Sequence, residues 1–392
     1  MTETKSLRSA RHLFIANDFP PILGGQSSFL YHLCRALSAA DIMVLAPACG
    51  DTSEFDRAQA FKIIRRPYVI RTPLLEKLVK IVLPFFFART ILAREGVAYL
   101  HCAHVLSTGF IGLAFKRLRG LNYIIYSHSA DILEHRGKPW LRPWLDRILA
   151  SASYIVVSNR FTAVKLQEMG IPEGKILLSW PKIDSDAFTV AADRAPVLEG
   201  LGLAGRRLIL SVGRLVERKG FDKMIAAMPE ILRTAPEAVY VVFGRGPDSV
   251  RLHRLVEEAG LTESVRFIQG DDATKKALLS ACAIFVMVSR EIRERGDTEG
   301  FGMVFLEAGA CGKPVVAGDS GGVRDAVAEG ESGLLVDPED PSAVAGAVSR
   351  LLSDSALAAR LGEQGKKRVR DKFDYRCGCP ELDPIFRRDV HV

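Results

Sequence analysis

Two carboxylates raise the first question of chemistry. In "DTEGFGMVFLEAGACGKPVV" (residues 297–316), Glu299 stands before a glycine-flanked turn and Glu307 lies further on, inside an apolar run. Gly300 and Gly302 suit a loop, while "MVFLEAGAC" (303–311) is rich in helix formers. The first amides of that helix, those of Met303 and Val304, would face a phosphate, because an unsatisfied helix N-terminus attracts anions. One turn further in, Glu307 can bridge vicinal ribose hydroxyls, and Glu299 can approach a sugar ring. As metal ligands the two lack partners, since no His or Asp cluster of suitable spacing accompanies them. A helix cap would account for Glu299, but not for a Glu within an otherwise apolar helix face.

Cations come next. "SVGRLVERKG" (211–220) puts Arg214 and Lys219 just beyond a strand, well placed to neutralise a diphosphate leaving group. A solvated loop is the competing reading of such a charge run. Gly24-Gly25 follows the first strand and precedes a helix, so it either lets backbone amides approach an anion or makes a tight turn. "SHSAD" (127–131) offers His128, which could polarise a sugar hydroxyl at neutral pH, beside Asp131. His101 and His104, at the preceding strand, read as structural. "VVFGRGP" (241–247), with Gly244 and Gly246, opens like a dinucleotide loop but lacks a third glycine and a downstream acid.

These residues need elements to position them. Short β-rich runs alternate with helical ones in each half of the 392-residue chain, which predicts two parallel sheets flanked by helices. Strands are expected at 11–18, 42–48, 98–104, 122–128 and 153–159, then at 206–215, 238–246, 264–270, 283–289 and 313–319. Helices are expected at 27–40, 107–119, 140–151, 221–235 and 303–311. The expected division is an N-terminal domain (1–185), a linker (186–205) collecting Asp, Pro and Gly, a C-terminal domain (206–370) and a tail (371–392). The fold class is α/β, with two doubly wound domains facing across a cleft and ligands at the carboxyl ends of the strands.

Bulk properties narrow the classes. With 48% hydrophobic and 25% charged residues the composition is that of a globular protein. A net charge of +7 and a pI near 9.0 favour an anionic partner, and the absence of any RNA-binding or zinc-finger pattern argues against nucleic acid. Seven cysteines without regular spacing do not describe a disulfide framework, and the close pair Cys377 and Cys379 is read as two free thiols. No signal peptide is recognised, and the greasiest stretch, "IVLPFFFARTIL" (81–92), is too short to span a bilayer, so a cytoplasmic protein is expected. Segment 72–96 mixes Lys77, Lys80, Arg89 and Arg94 with apolar residues. It reads as a helix packed on the first sheet or as an interfacial patch at the inner face of the plasma membrane.

Taken in order, the double glycine, S-H-S-A-D, S-V-G-R-L-x-x-x-K-G, G-R-G and E-G-F-G-x-x-x-x-E resemble the retaining glycosyltransferases of family 4, which have the GT-B fold. The resemblance covers residues 11 to 370 and includes "SGGVRDAVAEGESGLLVDPEDPSAVAGAV" (320–348). It implies a hexosyl transfer from a nucleotide sugar, UDP- or GDP-linked, to an acceptor hydroxyl, without cofactor or bound metal. At matching positions it implies that Arg214 and Lys219 hold the departing diphosphate, Glu307 the ribose and Glu299 the donor sugar. Gly24 and Gly25 would approach the phosphates, and His128 would contact the transferred sugar. Gly213, Gly244, Gly246, Gly300, Phe301, Gly302, Met303 and Val304 complete the implied donor site. "NDFPPILGGQSSFLYHL" and the charged "REIRERGD" (290–297) resemble mannosyltransferases acting on phosphatidylinositol mannosides, which hints at a lipid-linked acceptor. The tail departs from the family, because Pro380 and Pro384 break its usual closing helix. The rivals are a nucleotide-sugar epimerase on the same architecture and a non-catalytic sugar-nucleotide-binding protein.

Overall fold

The computed structural model describes residues 11–22, 24–37, 41–68, 73–189 and 194–386. The chain forms two compact units, one drawn from Met1–Lys182 and Tyr375–Val392, the other from Ile183–Asp374.

In the first unit, β1 (Arg11–Ile15), β2 (Ile42–Pro47), β3 (Lys62–Arg66), β4 (Val97–Cys102), β5 (Asn122–Ser127), β6 (Tyr154–Val157) and β7 (Ile176–Leu178) form one sheet. Its order is β3-β2-β1-β4-β5-β6-β7, and all pairings are parallel. In the second, β8 (Arg207–Val212), β9 (Ala238–Phe243), β10 (Val265–Ile268), β11 (Ile284–Met287), β12 (Val315–Gly318) and β13 (Gly333–Val336) follow the order β10-β9-β8-β11-β12-β13. These pairings are parallel too. "IMVLAP" in β2 and "AVYVVF" in β9 are buried at every position, as a parallel sheet covered on both faces requires. Along β1 the side chains alternate between two cores: Leu13 and Ile15 join one, Phe14 and Ala16 the other. In both sheets the strand order reverses beside the first strand, between β1 and β4 and between β8 and β11. Loops leaving those strands diverge, and the crevice between them is where a doubly wound sheet takes its ligand.

The ten strands expected from sequence are present, most with trimmed ends, while β4 begins one residue earlier, at Val97. Three more were not anticipated. β3 is "KIIRR", an edge strand whose end residues are exposed; β7 has three residues and β13 four. Residues 186–205, expected as a linker collecting Asp, Pro and Gly, carry the short helices Asp186–Thr189 and Arg194–Gly200, and residues 190–193 lie outside the described parts of the chain. Beyond residue 374 the prolines do prevent one long helix, and 3-10 turns at Tyr375–Cys377 and Pro380–Leu382 precede the helix Asp383–Phe386. That segment still contributes core: Cys379, Leu382 and Ile385 are buried with Phe14, Phe29 and Tyr126 of the first unit.

The helix Pro73–Arg94 divides its apolar residues between two environments. Ala88 and Ile91 are buried in the first core, whereas Leu75, Leu78, Val82 and Phe86 are 53%, 58%, 38% and 52% exposed. The side chain of Lys77 and residue 72 lie outside the described parts of the chain. Among the described residues no helix is long and apolar enough to cross a membrane, and all seven cysteines are free thiols.

Candidate active site

In the second unit the loop leaving β8 tightens into the 3-10 turn Glu217–Lys219, ended by Gly220. This turn carries Lys219 inward: the residue is only 8% exposed. Its Nζ lies 2.5 Å from Glu299 Oε2, and Arg218 Nη1 reaches the same oxygen at 2.8 Å. The Ser289 hydroxyl, just past β11, donates to it at 3.3 Å. Burial pushes the Glu299 carboxyl up, but Lys219 and then Arg218 outweigh burial and hold it down at about 2. Glu299 is therefore an anion near neutral pH and no proton donor. Its carbonyl accepts from the Gly322 amide at 2.9 Å, so the glycine pair of "SGGVRD" fixes its backbone.

Gly300, Phe301 and Gly302 lead from Glu299 into the helix Met303–Ala310. Gly302 is the N-cap at φ 84, a conformation a side chain would strain, and it brings no capping group to the first amides. Those of Met303 and Val304 are thus presented at an uncapped N-terminus. The Phe301 ring is buried, edge-on to Phe373 with centroids 5.7 Å apart, so Phe301 can serve a ligand only through its backbone. Glu307, a turn further on, is paired with Lys275, whose Nζ lies 3.0 Å from Oε2 and 3.1 Å from Asp272 Oδ1. Burial lowers the Lys275 pKa, yet Glu307 and Asp272 together raise it. Glu299 and Glu307 thus answer to different cations and share no proton.

The remaining residues of this unit gather around the same loop. Gly213 follows β8, and a Cβ built on it would lie 3.6 Å from Lys219 Cε. A Cβ on Gly244 would stand 2.0 Å from the Gly213 carbonyl oxygen, and one on Gly246 2.3 Å from that of Leu215. Both glycines of "GRG" are required where the β8 and β9 loops touch backbone to backbone. Arg214 is exposed, and among the described residues it makes no ion pair.

In the first unit the corresponding switch point collects a second group. Gly24 is the N-cap of the helix Gly25–Ala36, and a Cβ on it would lie 3.8 Å from Asp18 Oδ2. Asp18 Oδ1 is 3.3 Å from His104 Nε2. His128 stands edge-on to Phe29, centroids 4.6 Å apart. Burial first, then His104, lowers its pKa to about 4 against the pull of Asp18, so its imidazole is neutral near pH 7 and can accept or donate one hydrogen bond. Asp131 accepts from the Ser127 hydroxyl at 2.9 Å and the His128 amide at 3.1 Å, which fixes the loop that presents His128.

His101 is a core residue, its Nδ1 2.8 Å from the Tyr126 hydroxyl and its Nε2 2.9 Å from His12 Nδ1. His104, read from sequence as structural, pairs with Asp18. Sequence reasoning missed Asp18, Arg218 and Lys275. Arg218 had a signal, being adjacent to Lys219; the other two are paired only by the fold. Among the described residues no group of three or more His, Cys, Asp or Glu is placed to hold a metal ion.

Two family profiles match the chain: "Glycosyl transferases group 1" over residues 199–368 and "Glycosyltransferase Family 4" over residues 23–186. A GDP-mannose-dependent alpha-(1-6)-phosphatidylinositol monomannoside mannosyltransferase from Mycolicibacterium smegmatis is 31% identical over 93% of this chain and 95% of its own. A D-inositol 3-phosphate glycosyltransferase from Corynebacterium jeikeium is 29% identical over 76% of this chain and 75% of its own. Among solved structures, the sucrose-phosphate synthase of Thermosynechococcus elongatus superposes with a TM-score of 0.79 at 24% identity, over 97% of this chain and 98% of that one. The Anabaena protein HepE, solved with UDP and glucose, gives 0.78 at 17% identity over 97% and 100%. Two doubly wound parallel-sheet units, and a relative matched along nearly its whole length, make this chain a glycosyltransferase of family 4 with the GT-B fold.

Proposed function

We propose that the enzyme transfers a mannosyl or related hexosyl group from a nucleoside-diphosphate sugar to a hydroxyl of a lipid-linked acceptor, with retention of anomeric configuration. The observation that carries this reading is the buried Lys219–Arg218–Glu299 cluster beside the uncapped helix at Gly302. Breaking the bond from the anomeric carbon to the diphosphate oxygen leaves charge on that oxygen. Lys219 and the amides of Met303 and Val304 are a preorganised cation and dipoles for it, and exposed Arg214 adds a second cation. Glu299 is assigned to the sugar hydroxyls and Glu307 to the ribose. Gly24 and Gly25 are assigned to the phosphates, and neutral His128 to the transferred sugar. GDP-mannose as donor and a phosphatidylinositol mannoside as acceptor follow the full-length relative.

The test is incubation with GDP-mannose and phosphatidylinositol monomannoside, with NMR of the new linkage. An α-linked product supports the reading; a β-linked one refutes retention. Donor consumed without acceptor, giving an isomeric nucleotide sugar, would make the protein an epimerase instead.

The acceptor class gives the first unit's surface a further assignment: peripheral contact with an anionic bilayer at the inner face of the plasma membrane. Leu75, Leu78, Val82 and Phe86 recur at helical spacing on an exposed stripe of Pro73–Arg94. Arg89 and Arg94 are exposed on the same helix, and Arg117 and Arg119 flank exposed Leu118 at the end of the helix Ser107–Arg119 that packs against it. Apolar side chains beside cations match the interfacial region of an anionic membrane.

A further inference from the structure

The charged segment 290–297 stands out in the sequence, and nothing in the proposed reaction calls on it. Its composition suggests a solvated loop, but its first residue is not solvated. The Arg290 side chain is 7% exposed and forks onto Asp222, with both bonds at 3.0 Å. Asp222 lies in the first turn of the helix Phe221–Thr234, directly after the Lys219 loop. Arg251, bonded to Asp248 at 2.6 and 2.7 Å in the loop after β9, also stands 3.6 Å from Asp222. Loops following β8, β9 and β11 are therefore joined through one carboxylate.

Both ends of the segment then reach Arg218. The Arg290 amide donates to the Arg218 carbonyl at 2.8 Å. A two-residue bridge between Ile292 and Asp297 folds the segment back on itself, with bonds of 2.8 and 3.2 Å. This brings Asp297 Oδ1 to 3.0 Å from Arg218 Nε, while Arg218 Nη1 holds Glu299. A planar guanidinium with two of its nitrogens committed to different carboxylates cannot rotate, and its main chain is pinned as well. Lys219, the next residue, inherits that placement.

We propose that Arg290 and Asp297 are positioning residues: the segment 290–297 is a strap that fixes Arg218 and so sets Lys219 against Glu299. The strap acts on the donor site only through Arg218 and touches no reacting atom. Its functional consequence rests on the donor-site reading given above, but its geometry does not.

The test uses the full-length protein with Arg290→Lys and Asp297→Asn, each made alone and in a Lys219→Met background. Asp297 has a 39% exposed side chain, so its replacement leaves folding intact and keeps the test open if Arg290→Lys does not fold. With GDP-mannose and phosphatidylinositol monomannoside, each substitution should lower kcat about tenfold, the loss of one charge-assisted hydrogen bond at the barrier, with the acceptor KM unchanged. In the Lys219→Met background neither should lower kcat further. An equal fractional loss in both backgrounds, or no loss in either, overturns the proposal. An independent arm follows the Arg218 Nε–H resonance, assigned by Arg218→Lys, in 15N-labelled protein without substrate. Its exchange with water should quicken in Asp297→Asn, and unchanged exchange overturns the strap. Wild-type protein inert to GDP-mannose would refute the donor reading, while this resonance would still decide the strap.

Discussion

Replacing Lys219 by Met removes the ammonium and keeps an apolar stem of similar length. The ammonium stands 2.5 Å from Glu299 Oε2, and both side chains are 9% exposed. Stripping one partner from a buried ion pair costs about 3–5 kcal/mol when the other is left alone. Glu299 would not be alone, because Arg218 at 2.8 Å and the Ser289 hydroxyl at 3.3 Å remain. A loss of about 2 kcal/mol in stability is therefore expected, the value of one charged hydrogen bond. Domains are commonly stable by about 5–15 kcal/mol, so the variant should remain folded at 25 °C. Turnover should fall much further, by about 10²–10³, if Lys219 stabilises the departing diphosphate. The Glu299 carboxyl, held at about 2 mainly against its burial by Lys219 and then Arg218, should also rise toward its ordinary range. The assay pairs GDP release from GDP-mannose with a urea titration of the same preparation. Turnover within about threefold of wild type, less than half the logarithmic loss expected of one such group, would refute the leaving-group role. So would a deficit that tracks the unfolded fraction.

Acid should destabilise the first unit through a buried histidine that resists protonation. Burial, opposed only by Asp41, lowers the His12 pKa from 6.5 to about 4. The unfolded chain therefore binds a proton that the folded one refuses, and this stability, complete above the unfolded value, is lost as pH falls from 6.5 toward 4. At pH 5 the loss from His12 is about 2 kcal/mol relative to pH 7, and urea midpoints that stay flat between those pH values would contradict it. Gly244→Ala would drive a methyl to 2.0 Å from the Gly213 carbonyl at a backbone φ of 148. Calorimetry should show a loss of about 3 kcal/mol or more, and an unchanged Tm would mean the two loops separate freely. Phe86→Glu, on the exposed stripe of Pro73–Arg94, should abolish sedimentation with anionic vesicles while leaving the Tm intact; retained binding would remove that surface from consideration.

Much of this was legible because doubly wound units write themselves into local sequence. Every buried strand is a short β-rich run, and the loops that leave it at its carboxyl end carry the glycines and charges. β3 escaped notice because an edge strand with exposed ends can be "KIIRR" without an apolar run. Spacing brought Glu299, Lys219 and Glu307 forward as candidates, yet it could not give their ion-pair partners. Arg218 sits beside Lys219 in sequence and still gave no sign that it shares the same carboxylate oxygen 81 residues away. The two glycines of "GRG" carry a constraint the sequence did not announce: close contact between adjacent loops leaves no room for a Cβ at either. Lys275 and Asp18 act through partners 32 and 86 residues distant, since 307 − 275 = 32 and 104 − 18 = 86, a kind of pairing that no local pattern announces.

The chain leaves the first unit after Lys182 and re-enters it at Tyr375. Inside the second unit the two ends meet: the Ile183 amide donates to the Phe373 carbonyl at 2.8 Å, and the Ser185 hydroxyl to Asp374 at 2.6 Å. The second unit is thus a continuous insert, and the first lacks Cys379, Leu382 and Ile385 from its core until the segment beginning at Tyr375 is made. On the ribosome the usual N-terminal-first order is reversed in its completion. The insert can finish while the older part of the nascent chain still waits, its hydrophobic seam open, for the segment that begins at Tyr375 to emerge.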